Sequence, residues 1–391
     1  MVALFISTVC ELSGLFLFAP LLLFTLRSLG FDSAEIGWVS ASQWLGMALA
    51  APFTARWVRR LGTRRALILS GLLPWLSILL ITLSIQYEAP RPLAWAALYL
   101  VAGGAAALRW IVAEATVATL SPPAWRGRLV GLYATLVGAT FVIGPTLLAA
   151  LGSEGAAGLR SRWVAVALLA AGVALTLLVP SIDAPRQTAS TRRLGWAGLL
   201  EALRAEPAVL VAGFIGGFFE AGLSSILPLY GLSQGLSSTQ SALLVSASGL
   251  GSAVLMLPAG LAADRWPVGS VRRVCGLVNL LAALLMPVLV LWPGLQGLNG
   301  VLAFIWGGAG GALYTLAMVG IGHRWQGEEL VNATAVLVLS YTLGGLCAPA
   351  LGGMALQWGG TLGLPMLLVG VASMGVLGLA LSQMGSMNSP K

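Results

Sequence analysis

Long apolar runs separated by short polar connections make up almost the whole chain. We count twelve runs, and a helix of about 20 apolar residues spans roughly 30 Å of hydrocarbon. They lie at residues 2–26, 34–54, 66–86, 93–120, 129–151, 163–180, 208–231, 239–263, 272–293, 298–321, 331–356 and 362–384. The pattern predicts an all-α membrane protein with twelve transmembrane helices.

Composition supports a polytopic membrane protein. The 391 residues are 58% hydrophobic and only 9% charged, a balance that soluble domains do not have. The first run lacks a basic leader and a small-residue cleavage site, so we interpret it as the first span and not as a signal peptide. Three cysteines, all in apolar runs, predict no disulfide framework.

Charge predicts the orientation of the chain. Most of the 21 basic residues lie in the connections that follow an even-numbered run, and basic residues concentrate on the cytoplasmic side of bacterial membrane proteins. We therefore expect the bacterial inner (cytoplasmic) membrane as the location, with both termini in the cytoplasm. The net charge of +8 is spread over short loops, so it does not indicate nucleic-acid binding.

The chain consists of two related halves. Asp32-x-x-Glu35 and Ser237-x-x-Gln240 are capping boxes that open the second and eighth runs at an offset of 205. At the same offset Gly103 matches Gly308. The predicted domains are a six-helix bundle at 1–180, a cytoplasmic linker at 181–207, a six-helix bundle at 208–384 and a cytoplasmic tail at 385–391. Two six-helix pseudo-repeats with a site between them are typical of secondary transporters.

Charged residues inside the apolar runs are the candidate functional groups. Each costs about 2.5–3.5 kcal/mol at the centre of a membrane helix, so such residues normally face protein or a wet cavity. Arg109 and Glu114 are five residues apart, about 140° round a helix, so we expect each to have a partner on another helix. Glu11 and Glu220 lie roughly 15 Å deep in the first and seventh runs.

Two interpretations of these charges stay open. In the functional one, Glu11 or Glu220 is the proton site because burial favours the neutral carboxyl form, while Arg109 provides the counter-charge or binds an anionic substrate. In the other, the charges are structural contacts that hold helices together. Glu114 is near a helix end and could reach water.

Aromatic residues in the same runs also have two interpretations. Trp110, Phe219, Trp306 and Tyr314 could form an apolar wall for a lipophilic ligand, or they could pack in the core, which is their more frequent role.

Motifs at equivalent points of the two halves resemble the major facilitator superfamily. Gly260 to Arg273, GLAADRWPVGSVRR, places Asp264 and Arg265 at the positions of the family's signature loop. The first-half copy, ARWVRRLGTRR, has Arg59 where the family has aspartate, followed by Arg60, Gly62 and Arg64. Gly144-Pro145 partly resembles the family's antiporter motif. Segments such as LRSLGFDSAEIGWVSAS and RGRLVGLYATL look most like the sparsely characterised YcaD-like branch.

The resemblance implies a fold and a mechanism. In the family the first, fourth, seventh and tenth spans line a central cavity, so Glu11, Arg109, Glu220 and Tyr314 would converge there. The signature loops would act in gating. The implied mechanism is alternating access, with rocking of the two halves.

The expected function is secondary active transport. An acid-rich cavity and Gly144-Pro145 favour proton-coupled export of a small amphipathic or cationic compound. The alternatives are uptake or facilitated transport of a small anionic or zwitterionic metabolite, and a lipid flippase. We expect a monomer whose partners are the substrate, protons and the bilayer, with no nucleic acid.

Other chemistries have little support in the sequence. There is no phosphate-binding G-x4-G-K-[ST] loop, and the single His323 has no metal-ligand spacing around it. We therefore expect no cofactor, no metal and no enzyme activity.

Overall fold

The computed structural model describes residues 1–87, 91–120, 122, 126–179, 207–324 and 327–387. Most of the predicted linker, and residues 388–391 of the tail, lie outside this part of the chain. The described residues form helices joined by short turns, with no strand among them.

Seven helices precede the linker. They are α1 (Val2–Ser28), α2 (Ser33–Ala50), α3 (Thr54–Leu61), α4 (Thr63–Gln86), α5 (Pro92–Leu120), α6 (Arg126–Leu151) and α7 (Gly155–Thr176). A short 3-10 turn, Ala51–Phe53, connects α2 to α3. α1 packs mainly on α6 and α7, and α5 packs on α2 and α4.

The helices after the linker include one broken span. They are α8 (Pro207–Gly216), a π-helix (Gly217–Gly222), α9 (Leu227–Ser233), α10 (Ser238–Arg265), α11 (Val268–Leu291), α12 (Asn299–Arg324) and α13 (Gly327–Met387). The 61 residues of α13 contain a non-helical Gly360 (φ 58°, ψ −143°), so they are two helices placed end to end. A bend of 58° separates the π-helix from α9.

A helix lies at each of the twelve predicted runs. Within the described residues, eight helices are long and apolar enough to cross a membrane, or nine if the bent α8–α9 pair is one span. α2 and α6 are not among them, because α2 includes several polar residues and the described apolar part of α6, Thr135–Leu151, is too short. The protein is an all-α membrane protein.

The helices form two compact units. The first contains α1 to α7 and the segment Leu236–Ser246, and the second contains α8, α9, the rest of α10, and α11 to α13. The first unit thus also includes the start of α10, a segment that the predicted domain boundaries place in the second bundle.

Both predicted capping boxes are present. In α2 the Asp32 side chain accepts from the Glu35 amide at 2.8 Å, and the Glu35 carboxylate accepts from the Asp32 amide at 3.0 Å. At the start of α10, Ser237 and Gln240 make the same reciprocal pair at 3.2 and 3.0 Å. These contacts satisfy amide groups that the first turn of a helix leaves free.

Glycines let one pair of helices in each unit approach closely. A Cβ on Gly46 would lie 1.9 Å from the carbonyl oxygen of Leu100, and a Cβ on Gly103 would lie 1.9 Å from that of Gln43. The second unit repeats this crossing of α2 and α5 in α10 and α12. There a Cβ on Gly251 would lie 1.9 Å from the carbonyl oxygen of Phe304, and one on Gly307 would lie 2.2 Å from that of Ser248.

The glycine contacts correct one predicted match. Gly103 corresponds in its contacts to Gly307, so the predicted partner Gly308 is wrong by one residue. Gly308 instead corresponds to Gly104, since these two approach the carbonyl oxygens of Gly251 and Gly46 respectively. The repeat offset is 205 in α2 and α10 but 204 in α5 and α12.

Candidate functional site

An ion pair lies in the interior of the first unit. The Nε atom of Arg109 on α5 is 3.3 Å from Oε2 of Glu11 on α1, and both side chains are almost completely buried. The prediction that Arg109 has a partner on another helix is confirmed, because Glu11 lies on α1. The functional role of the pair remains a prediction.

Hydroxyl groups surround the Arg109 guanidinium. Nη1 donates to the Thr176 hydroxyl at 3.0 Å, and Nη2 donates to Ser7 and, at 3.4 Å, to Thr8. Sequence reasoning missed these residues. A signal was available for Ser7 and Thr8, because they precede Glu11 by four and three residues and so lie on the same face of α1.

Two glycines shape the socket that holds Glu11. A Cβ on Gly71 of α4 would lie 2.5 Å from Glu11 Oε1, and a Cβ on Gly172 of α7 would lie 2.3 Å from Glu11 Cγ. Glu11 therefore fits between α1, α4 and α7 only because these two positions have no side chain. The sequence contains fifty glycines, and no sequence pattern distinguishes Gly71 and Gly172 from the others.

Glu114 lies in a different environment. Its carboxylate accepts a hydrogen bond at 2.8 Å from Nε1 of Trp110, one turn earlier on α5. Both side chains are exposed, Trp110 by 42%. The i, i+4 spacing brings the indole and the carboxylate together on a single helix, and the expected partner of Glu114 on another helix stays a prediction.

In the second unit, Glu220 has neutral partners. It lies in the π-helix Gly217–Gly222, where its Oε1 accepts from the Ser252 hydroxyl at 2.5 Å and its Oε2 accepts from the Tyr341 hydroxyl at 3.1 Å. Among the residues that the structure describes, no basic side chain pairs with this carboxylate. π-helical turns are rare and often occur at functional sites.

The predicted aromatic residues divide between core and site. Phe219 and Trp306 are fully buried in the second unit, which corresponds to the alternative of core packing. The ring of Tyr314 contacts the ring of Tyr341 edge-on, with centroids 5.0 Å apart. Tyr314 thus supports the tyrosine that donates to Glu220. Tyr341 was not predicted.

The residues of the predicted gating motifs lie at or near helix ends. Arg59 and Arg60 are exposed on α3, and Gly62 has a positive φ of 79° at the turn into α4. Arg64 donates to the carbonyl oxygen of Leu177 at 3.1 Å. The second-half motif ends α10, where Asp264 and Arg265 are exposed and a Cβ on Gly260 would meet no atom within 4 Å.

Gly144 and Pro145 lie within α6. A Cβ on Gly144 would lie 2.7 Å from the amide nitrogen of Leu17, so this glycine allows α6 to pack closely on α1. The antiporter role of the motif remains a prediction.

The fold and the charges inside its spans define a polytopic membrane protein with buried ionisable side chains. The family model of the Major Facilitator Superfamily matches residues 4–299 and 209–384, and the chain belongs to this superfamily.

Curated relatives and solved structures agree with this family. An uncharacterised MFS-type transporter YcaD of Escherichia fergusonii is 29% identical over 83% of this chain and 80% of its own length. A YcaD protein of Salmonella paratyphi A is 26% identical over 86% of this chain and 84% of its own length. The resemblance to the YcaD-like branch is thus confirmed.

The crystal structures show the same fold at low identity. The nucleoside transporter NupG has a TM-score of 0.77 at 13% identity, covering 100% of this chain and 99% of that one. A D-xylose–proton symporter has a TM-score of 0.74 at 14% identity, covering 97% and 96%.

Proposed function

We propose that this transporter is proton-coupled, that Glu220 is the carboxylate that binds and releases the proton, and that the protein exports a small amphipathic or cationic compound. It would act as a monomer in the bacterial inner membrane, with both termini in the cytoplasm. The observation that carries the proposal is the neutral environment of Glu220, whose hydrogen-bond partners among the described residues are the hydroxyl groups of Ser252 and Tyr341.

The environment of Glu220 suits reversible protonation. An apolar surrounding without a cation favours the neutral form of a carboxylate, whereas two donated hydrogen bonds favour the charged form. Loss of either hydroxyl contact during a conformational change would shift the balance towards proton uptake. The π-helix and the bend after it place Glu220 where its helix is least regular.

Glu11 suits this role less well. Protonation of Glu11 would leave the buried Arg109 without its counter-charge, and breaking a buried ion pair costs about 3–5 kcal/mol. We therefore assign Glu11 and Arg109 to the structure of the first unit, and the proton to Glu220.

The environment of Arg109 also supports the substrate class. Arg109 is 4% exposed, and its guanidinium contacts Glu11, Ser7, Thr8 and Thr176. Glu11 already occupies the position of a paired carboxylate beside Arg109. This observation favours a cationic or amphipathic compound over an anionic metabolite.

The test is proton movement in proteoliposomes that carry an imposed pH gradient. Cationic, zwitterionic, anionic and lipid-like compounds are added in turn to wild type, to Glu220→Gln and to the control Glu35→Gln, which changes an exposed carboxylate at a helix start. We expect wild type and Glu35→Gln to couple proton flow to a cationic or amphipathic compound. Glu220→Gln should lose the coupling but still exchange labelled compound between the two sides.

Three results would contradict the proposal. Full coupling in Glu220→Gln would exclude this residue as the proton site. Compound movement without proton movement in wild type would make the protein a facilitator. A response to anionic compounds alone would overturn the substrate class.

A further inference from the structure

Exposed arginines surround the short helix α3. Three lie on α3 itself and two in the first turn of α4: Arg56, Arg59, Arg60, Arg64 and Arg65. Within the described part of the chain, no carboxylate lies within ion-pair distance of any of them. This segment therefore presents a concentrated, uncompensated positive charge.

Two exposed aromatic rings lie beside these arginines. Phe53 is 51% exposed and Trp57 is 37% exposed, and their stacked rings have centroids 6.2 Å apart. The inward side of α3 is different, since Thr54 is buried and Val58 packs on the hydrophobic core of the first unit. One helix therefore rests on the protein and presents both aromatic and basic side chains outward.

The position of α3 in the chain places it at the membrane surface. It connects α2, the helix at the second predicted run, to α4, which is long and apolar enough to cross a membrane. At this level aromatic rings lie among lipid headgroups, and arginine binds phosphate through two parallel N–H donors. A basic segment with apolar neighbours is also the pattern that recognises anionic lipid.

We propose that α3 and the first turn of α4 form a binding site for an anionic phospholipid of the adjacent leaflet. The arginines bind the headgroup phosphate, and Phe53 and Trp57 contact the glycerol and the upper acyl chain. A soluble anion would gain nothing from the aromatic pair, which is why the structure favours a lipid. The site does not depend on the role of Glu220 or on the direction of transport.

The second unit provides an internal comparison. At the repeat offset of 205, Asp264 stands where the first unit has Arg59. Arg265 and Arg273 are exposed there, so the second copy is basic too, but it contains a carboxylate at the centre of the motif. We expect it to bind anionic lipid less well than α3 does.

The experiment measures lipid retention by the full-length purified transporter. The protein is titrated in detergent with dioleoyl phosphatidylglycerol or dioleoyl phosphatidylcholine, and the bound lipids are counted by native mass spectrometry. Wild type should retain the anionic lipid in preference. In the triple variant Arg56→Gln, Arg59→Gln, Arg60→Gln, the preference should fall by about fivefold for each arginine removed.

Matched variants test whether the lipid preference depends on this site or only on the net positive charge of the protein. The double variant Arg265→Gln, Arg273→Gln should retain most of the preference, and Arg59→Asp should weaken it more than Arg59→Gln does. Phe53→Ala with Trp57→Ala should reduce lipid retention while all the arginines remain. Since Thr54 and Val58 are unchanged in every variant, thermal unfolding in phosphatidylcholine should stay close to that of wild type and so confirm folding.

Three outcomes would overturn the proposal. The first is an unchanged lipid preference in the folded triple variant. The second is an equal loss in Arg265→Gln, Arg273→Gln, which would indicate net charge alone. The third is full displacement of the lipid by inorganic phosphate, which would indicate a site for a soluble anion.

Discussion

Glu11 and Glu220 occupy matching places in the two halves of the sequence, yet their chemistry differs. Glu11 is paired with a guanidinium and enclosed by two glycines, whereas Glu220 accepts from two hydroxyls. A carboxylate with a buried counter-ion leaves that cation unpaired when it gains a proton, whereas one with neutral donors gains a proton without leaving another charge unpaired. We therefore expect substitution of Glu11 to lower the stability of the protein and substitution of Glu220 to remove proton coupling.

Removal of either partner of the buried ion pair should destabilise the first unit. We expect Glu11→Gln and Arg109→Gln each to lower the free energy of unfolding by about 3–5 kcal/mol, because each leaves a buried polar or charged group unpaired. The double variant should recover part of this loss. The measurement is the thermal unfolding midpoint in detergent, and single variants as stable as wild type would show that the pair contributes little.

The socket of Glu11 predicts a second effect on stability. In Gly172→Ala the new Cβ would lie 2.3 Å from Glu11 Cγ and 3.0 Å from the carbonyl oxygen of Ser7, so the ion pair would have to shift. Overpacking of this kind costs about 1–3 kcal/mol. Gly138→Ala on α6 is the matched control, because a Cβ there meets nothing within 4 Å. If the two variants unfolded at the same temperature, the socket would not be tight.

At the scale of helices, the two units use the same close crossing. Gly46 and Gly103 bring α2 against α5, and Gly251 and Gly307 bring α10 against α12. Small residues allow such approach in a membrane, where packing rather than the hydrophobic effect holds helices together. The repeat is therefore visible in backbone contacts as well as in sequence.

The repeated crossing predicts equal sensitivity in both units. Gly46→Ala and Gly251→Ala each place a Cβ 1.9 Å from a backbone carbonyl oxygen, which cannot move aside as a side chain can. We expect each to destabilise its unit by more than Gly138→Ala does and by similar amounts. Unfolding midpoints of the purified variants test this, and tolerance of Gly251→Ala alone would show that the two crossings are not equivalent.

Sequence patterns predicted the regular part of the structure better than its exceptions. The capping boxes at Asp32 and Ser237 were predictable because local spacing determines their hydrogen bonds. The π-helix at Glu220 was not predictable, because the pattern of apolar residues around it is also that of a regular α-helix. The contact of Glu11 with Gly71 and Gly172 depends on how α4 and α7 rotate against α1, which no local pattern specifies.

At the scale of the molecule, each of the two halves has basic residues in its loops on one side of the membrane. The positions of these residues predict the orientation of the chain in the membrane. Arg64 and Arg65 begin α4 and are exposed, while Tyr87 follows the other end of the same helix and is 75% exposed. The two ends are separated by about 33 Å along the helix axis, a distance similar to the thickness of the hydrocarbon core. One helix therefore offers a pair of test positions on opposite sides of the membrane.

Thiol labelling of whole cells tests this orientation. Cys10, Cys275 and Cys347 are first replaced by alanine, and a single cysteine is then introduced as Tyr87→Cys or Arg65→Cys. Because basic residues concentrate on the cytoplasmic side, a membrane-impermeant maleimide should label Tyr87→Cys in intact cells, and Arg65→Cys only after the membrane is permeabilised. Labelling in the opposite order would reverse the predicted topology of both termini, whereas labelling of both positions in intact cells would show that α4 does not cross the membrane.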